Sequence, residues 1–214
     1  MSKAFCQEHP GHMWYLAYGS NMNSNTFKVR RKIKPFEFHP CTVAGYTLNF
    51  QMVGYPYMEP SFASVHKITE QEKDTAVELH GVVYRITTED YIRIRKTEGG
   101  GGNDNAGYDD IDVLVKTYDG KNIWARTLIG HQDWVSNNNA LPSLRYLELL
   151  RQGAKEHGIS EQYQKYLLSL EHYDFRSIRQ KIGRIIFLAI FLPIFMPLLL
   201  TLFYTTKLNK ILEL

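Results

Sequence analysis

Two short stretches hold residue types that could do chemistry. The first, Tyr15-Leu16-Ala17-Tyr18-Gly19-Ser20-Asn21, ends an aromatic strand in small, turn-forming residues. Where a strand gives way to a helix start, successive backbone N–H groups converge and can hold an anion. The same residues also build an ordinary strand-to-helix turn, and by themselves they leave both readings open. The second stretch is Glu98, which ends a helical segment and precedes Gly99-Gly100-Gly101-Gly102. A carboxylate beside chain without Cβ atoms can be approached closely by a ligand or a loop and can exchange a proton with it. A solvated glutamate at a helix end has the same sequence surroundings. The glycine run is no nucleotide fingerprint, because with Gly99 or Gly100 first the last required glycine falls on Asp104 or Asn105, and no strand directly precedes it. Cys6, His9 and His12 are spaced like metal ligands, but no fourth ligand or second paired motif is nearby, so residues 1–13 read as a polar leader with no cofactor.

These residues need elements to position them. Strands are expected over Trp14–Tyr18, Cys41–Phe50, Phe62–His66, Val77–Ile86, Ile111–Tyr118 and Asn122–Ile129, with Asp119-Gly120 as the hairpin turn between the last two. Thr88 is placed to cap a short helix running toward Thr97, and the glycines after Glu98 stop it and begin a flexible loop. Pro142 suits the first turn of a helix whose Leu144, Leu147, Leu150 and Ala154 share a face; Gly158 ends it and Ser160 caps the next, which carries Tyr163, Tyr166, Leu167 and Leu170. Strands first and helices later define an α+β domain rather than a doubly wound parallel sheet.

The chain has 214 residues, enough for one catalytic domain with a sizeable core. A formal charge of +3 calls for no nucleic-acid partner, and the run Lys28, Arg30, Arg31, Lys32 and Lys34 reads as a solvated surface. Two cysteines, Cys6 and Cys41, and no apolar stretch of signal-peptide length in the first 30 residues suggest reduced thiols in the cytosol.

Several segments in order then carry a resemblance. The loop Tyr15 to Asn21 is followed by Gly81-Val82-Val83-Tyr84, Glu98-Gly99, Tyr108, Pro142-Ser143-Leu144-Arg145-Tyr146, Gly153-Ala154-Lys155-Glu156-His157-Gly158 and Tyr163-Gln164. Together they resemble the γ-glutamyl cyclotransferase family over Tyr15 to about Phe175, a span expected to form a catalytic domain at 14–175. The resemblance implies a small mixed β-barrel flanked by helices. It also implies release of 5-oxoproline from a γ-glutamyl compound, with no cofactor. Glu98 falls at the family's catalytic glutamate, Tyr15, Leu16, Ala17, Tyr18, Gly19 and Ser20 at its substrate loop, and Tyr146 at its late substrate-contacting tyrosine. The small-molecule partner would be a γ-glutamyl amino acid or peptide. Similarity to γ-glutamyl cyclotransferase-like proteins of fungal sulfur-containing toxin pathways adds glutathione or its conjugates as alternatives. A reading of another class is a membrane-tethered γ-glutamyl-binding protein without turnover.

From Ile185 to Thr206 there are 22 uncharged residues. As a helix they reach about 33 Å, the thickness of a bilayer core. One C-terminal transmembrane helix is therefore expected at 185–206, after a basic segment at 176–184 and before a short tail at 207–214. Pro193 and Pro197 are tolerated better in a membrane span than in a soluble helix. Arg176, Arg179, Lys181 and Arg184 precede the span, and Lys207 and Lys210 follow it beside Glu213, a bias that keeps the catalytic domain on the cytosolic face of a single-pass membrane protein. This topology predicts that the full chain resists alkaline carbonate extraction while truncation after Gln180 gives a soluble, active enzyme. Recovery of the full chain in the carbonate supernatant, or protease protection of its catalytic domain in sealed vesicles, would contradict it.

Overall fold

The computed structural model describes residues 11–98, 107–136, 140–174, 178–190 and 193. The chain forms β1 (His12–Ala17), a 3₁₀ turn (Ser20–Met22), a π-helical turn (Asn25–Arg30), β2 (Glu37–Val43), β3 (Tyr46–Tyr55), β4 (Glu59–Lys67) and β5 (Leu79–Thr87). There follow α1 (Thr88–Thr97), β6 (Tyr108–Thr117), β7 (Asn122–Gly130), a second 3₁₀ turn (Gln132–Trp134), α2 (Leu144–Glu156) and α3 (Glu161–Ser169).

Five strands close a barrel in the order β1-β5-β2-β6-β7. β5 runs antiparallel to both β1 and β2, and β6 runs antiparallel to β2 and β7. β7 meets β1 in parallel at Tyr15 and Arg126, which makes the barrel mixed, as expected. β5 has neighbours on both sides, and at its centre Gly81, Val82, Val83 and Tyr84 are buried in succession rather than in alternation. β3 and β4 form a separate two-stranded ribbon whose register slips by one residue between Asn49 and Met52. Such a bulge turns the following side chains to a new direction.

The expected strand Cys41–Phe50 is two strands in different sheets. Gly45, at φ +76°, reverses the chain between β2 and β3 in a conformation other L-residues rarely adopt. The β6–β7 hairpin turns at Asp119-Gly120 as expected, with the Gly120 N–H donating to the Thr117 carbonyl at 2.9 Å. The cap of α1 is Thr87 rather than Thr88; its hydroxyl accepts the Asp90 N–H at 3.0 Å. Pro142 lies just before α2, which is capped by Ser143, and Ser160 caps α3. On α2, Leu147, Leu150 and Ala154 face the core with Tyr146, whereas Leu144 in the first turn is exposed.

Leu16, Phe27, Val82, Val83, Ile94, Val115 and Leu150 form one core with the barrel strands. Each large apolar side chain buried in this way contributes about 1.5–3 kcal/mol relative to exposure. α2 packs on the turn after β1, and Gly153 permits it: a Cβ there would stand 2.7 Å from the Asn23 backbone nitrogen. The helix is thereby seated directly behind the loop that follows β1.

The chain divides into two compact units, one of residues up to Tyr55 with Glu59–Tyr173, the other of Pro56–Met58 with the chain from Asp174. In the second unit residues 178–190 are helical, and Tyr57 and Phe187 have ring centroids 6.2 Å apart. Among the described residues no helix is long and apolar enough to cross a membrane. Of the expected span 185–206, residues 185–190 and 193 are helical; the remainder, and the tail at 207–214, lie outside the described residues.

Candidate active site

Glu98 is the C-cap of α1, where its N–H donates to the Ile94 and Arg95 carbonyls. Tyr91 and Ile94 bury one face of the helix and so fix where its end emerges, close to the turn that follows β1. The Glu98 side chain is 22 % exposed. Its Oε1 accepts a hydrogen bond from Asn21 Nδ2 at 2.9 Å and forms an ion pair with Arg31. Among the described residues Oε2 accepts no hydrogen bond. One carboxylate oxygen is tethered and the other is open.

Asn21 joins this arrangement together. Its Nδ2 also donates to the Tyr15 hydroxyl at 2.9 Å, and its Oδ1 accepts from Arg31 Nε at 2.6 Å. One buried amide thus fixes a carboxylate, a phenol and a guanidinium. Arg31 further donates to Thr97 Oγ1, so that the guanidinium spans from Asn21 to the end of α1.

The basic run containing Arg31 is therefore not uniformly a solvated surface. The Arg31 side chain is 12 % exposed, because the wide Asn25–Arg30 turn and Lys32, at φ +57°, reverse the chain and turn Arg31 and the buried Ile33 inward. Lys28, Arg30 and Lys32 face outward.

Glu98 lines a small inner cavity of about 30 Å³ with Tyr15, Tyr18, Gly19, Ser20, Asn21, Ala63, Tyr108, Leu128 and Tyr146. Six of the residues expected from sequence, Tyr15, Tyr18, Gly19, Ser20, Glu98 and Tyr146, meet here. Leu16 and Ala17 do not. Both are at most 1 % exposed and belong to the barrel core, so their place in the substrate loop is structural. Sequence reasoning gave no site role to Asn21, Arg31 or Tyr108.

The tyrosines divide by what their hydroxyls do. Tyr18 donates to the Leu128 carbonyl at 2.5 Å and Tyr108 to the Ala63 carbonyl at 2.9 Å, so both are fixed as wall. Tyr146 instead accepts the Ala63 N–H at 3.2 Å, which leaves its own proton to donate. Tyr15 likewise accepts from Asn21. Burial, and after it the nearby charge of Glu98, raises Tyr15 and Tyr146 well above the ordinary phenol range. Burial is also the main cause that raises Tyr18 and Tyr108. All four are neutral at physiological pH and can donate but not act as bases.

The Ser20–Met22 turn supplies backbone donors, since the first N–H groups of a helical turn have no acceptor within it. His12 lies in β1 with its ring stacked on Phe36, whereas Cys6 and His9 lie outside the described residues. Among the described residues no group of three or more His, Cys, Asp or Glu gathers as a metal site. Cys41 is buried against the Gly81 carbonyl, and burial pushes its thiol up to about 12.

Residues 78–167 match the model of the AIG2-like family. The γ-glutamyl cyclotransferase gliK of Aspergillus fumigatus is 32 % identical over 207 residues, covering 88 % of this chain and 73 % of that protein. A solved structure of an uncharacterized human protein aligns with TM-score 0.64 at 23 % identity, over 80 % of this chain and 96 % of that one. A solved γ-glutamyl cyclotransferase structure aligns with TM-score 0.62, also at 23 % identity, over 79 % and 96 %. The chain belongs to the γ-glutamyl cyclotransferase family.

The Arg31 fork reaches Asn21, Thr97 and Glu98 at once, which a lysine ammonium cannot reproduce. Arg31→Lys is expected to lower kcat/KM about tenfold or more through loss of Glu98 positioning, with the circular dichroism spectrum unchanged. Steady-state kinetics checks this, and wild-type values would contradict the positioning role.

Proposed function

We propose that the chain releases 5-oxoproline from γ-glutamyl amino acids or peptides, with Glu98 as a single general acid and base. The observation that carries this reading is the asymmetry of Glu98, a residue that lines both the inner cavity and the cleft outside it: Oε1 is held by Asn21 and Arg31, while Oε2 accepts no hydrogen bond among the described residues.

The substrate's α-ammonium must lose a proton before its nitrogen can attack. Oε2 takes that proton. The amine nitrogen then bonds to the γ-carbonyl carbon and closes a five-membered ring. As the tetrahedral centre collapses, the bond from the γ-carbon to the leaving nitrogen breaks and Glu98 gives its proton to that nitrogen. The ring nitrogen then sheds its second proton to the freed carboxylate, which passes it to the departing amine, so that both protons lost by the α-ammonium leave on the product ammonium. No water is consumed and Glu98 ends as it began. Because attack is intramolecular, the main requirement is to hold the glutamyl chain folded. Backbone N–H groups of Gly19 and Ser20, with the Ser20 hydroxyl, hold the α-carboxylate. The neutral hydroxyls of Tyr15 and Tyr146 donate to oxygens of the bound glutamyl group, and Tyr18 shapes the wall.

The same chemistry on glutathione or a glutathione conjugate is the second reading, favoured by a cleft of about 710 Å³ outside the inner cavity. A binding module without turnover would also use Glu98 to pair with the ligand's α-ammonium, and release of 5-oxoproline is what separates it from an enzyme. The single-pass membrane topology read from residues 185–206 is likewise part of this proposal, and it places the reaction in the cytosol.

Glu98→Gln keeps the shape of the side chain but cannot carry the proton. It is expected to lower kcat at least about a hundredfold with substrate affinity nearly retained. The check is 5-oxoproline release beside a direct binding measurement, and near-normal turnover would overturn the assignment.

A further inference from the structure

The cleft outside the inner cavity has a composition of its own. Its wall comes from Met52, Val53 and Tyr55 on β3, Phe62 on β4, Trp134 on the second 3₁₀ turn and Leu149 on α2. Phe62 lies 5.4 Å from Tyr146 and 6.4 Å from Tyr55, both edge-on, so aromatic surface runs without a break from the inner cavity to the rim. Three of these apolar side chains are held out to solvent: Val53 is 48 %, Tyr55 58 % and Trp134 46 % exposed. Each such exposure is common singly, but here they share one concave surface beside the reacting carboxylate.

The wall is built rather than incidental. The register slip after Asn49 re-aims Met52 and the residues beyond it. The turn bearing Trp134 is fastened to the same strand by a bridge between Met52 and Val135 and by the Ser136 N–H donating to the Gln51 carbonyl at 2.8 Å. Trp134 is therefore held over the cleft by backbone bonds to β3, not by burial of its own ring.

Three arginines line the same cleft. Arg31 is engaged by Glu98, and Arg145 pairs with Glu59 at 2.6 Å. Arg30 makes no ion pair among the described residues. An apolar wall with one uncommitted cation fits a ligand that is largely hydrophobic and carries a single negative charge.

We propose that this outer cleft selects the leaving amine, and that the preferred substrate is a γ-glutamyl amino acid with a large apolar side chain and a free carboxylate. The inference rests on the ring-closing reaction proposed above. With the α-carboxylate of the γ-glutamyl group held at Gly19 and Ser20, where the inner cavity opens, the scissile nitrogen lies at Glu98, and everything attached to it projects into the cleft. Trp134, Phe62 and Val53 cover the apolar side chain, and Arg30 takes the carboxylate. These residues discriminate between leaving groups and carry no proton.

The test measures kcat/KM of the full chain, in detergent, for γ-glutamyl-glycine, γ-glutamyl-phenylalanine and γ-glutamyl-phenethylamine, which lacks the carboxylate. The phenylalanine compound is expected to exceed each of the others about tenfold or more, mainly through KM. Trp134→Ala should reduce the phenylalanine-to-glycine ratio about tenfold, and Trp134→Phe should retain most of it. Arg30→Gln should bring the phenylalanine and phenethylamine compounds close together. Equal kcat/KM for all three in the wild type, or a ratio unmoved by Trp134→Ala, would overturn the inference while leaving the reaction standing. Absence of 5-oxoproline from every compound, and from glutathione and its S-conjugates run beside them, would overturn the reaction, and this inference with it.

Discussion

The contact on which the site depends is the grip of Asn21 and Arg31 on one oxygen of Glu98. A glutamate at the end of a helix has several rotatable bonds and, left alone, would extend into water. Here two donors from the β1 side of the barrel hold Oε1, and the second oxygen is directed by default. In the proposed reaction the carboxylate reaches two nitrogens of the same substrate in succession. A fixed carboxylate between them needs only small movements to do so. Asn21 makes the tie economical, because one buried amide connects Glu98, Arg31 and Tyr15.

The barrel supplies the rigidity behind this contact. β1 is paired on both sides, antiparallel with β5 and parallel with β7, so the loop leaving its end begins from a fixed point. α2 lies on that loop at Gly153 and delivers Tyr146 from the opposite side. Hydroxyls of Tyr18 and Tyr108 are tied to main-chain carbonyls across the cavity. Few of the polar groups around Glu98 can reorient without breaking a bond elsewhere, and such preorganised donors are what a developing oxyanion needs.

Much of this was legible from residue order. The Asp119-Gly120 turn and the Ser160 cap follow local rules and stand in the structure where those rules put them, and most of the apolar strands lie within a few residues of their expected bounds. The break at Gly45 was missed because the apolar pattern runs on through it, while a positive φ is set by the backbone and leaves no periodic trace. Arg31 was missed for a different reason. Its partner is 67 residues away in the chain, and nothing within its own basic run distinguishes an arginine turned inward from those in solvent. Leu16 and Ala17 show the converse: a contiguous motif invites the same role for each member, but these two are packed into the barrel core while Tyr15 and Tyr18 on either side line the cavity.

In the proposed reaction the ring closes internally, Glu98 moves the protons and water takes no part. Turnover of a γ-glutamyl amino acid in ¹⁸O-labelled water, with the products resolved by mass spectrometry, tests this most directly. The prediction is 5-oxoproline without ¹⁸O and no glutamate formed directly. Glutamate carrying ¹⁸O in its γ-carboxylate as the first product would show that water attacks the carbonyl, and would contradict the mechanism.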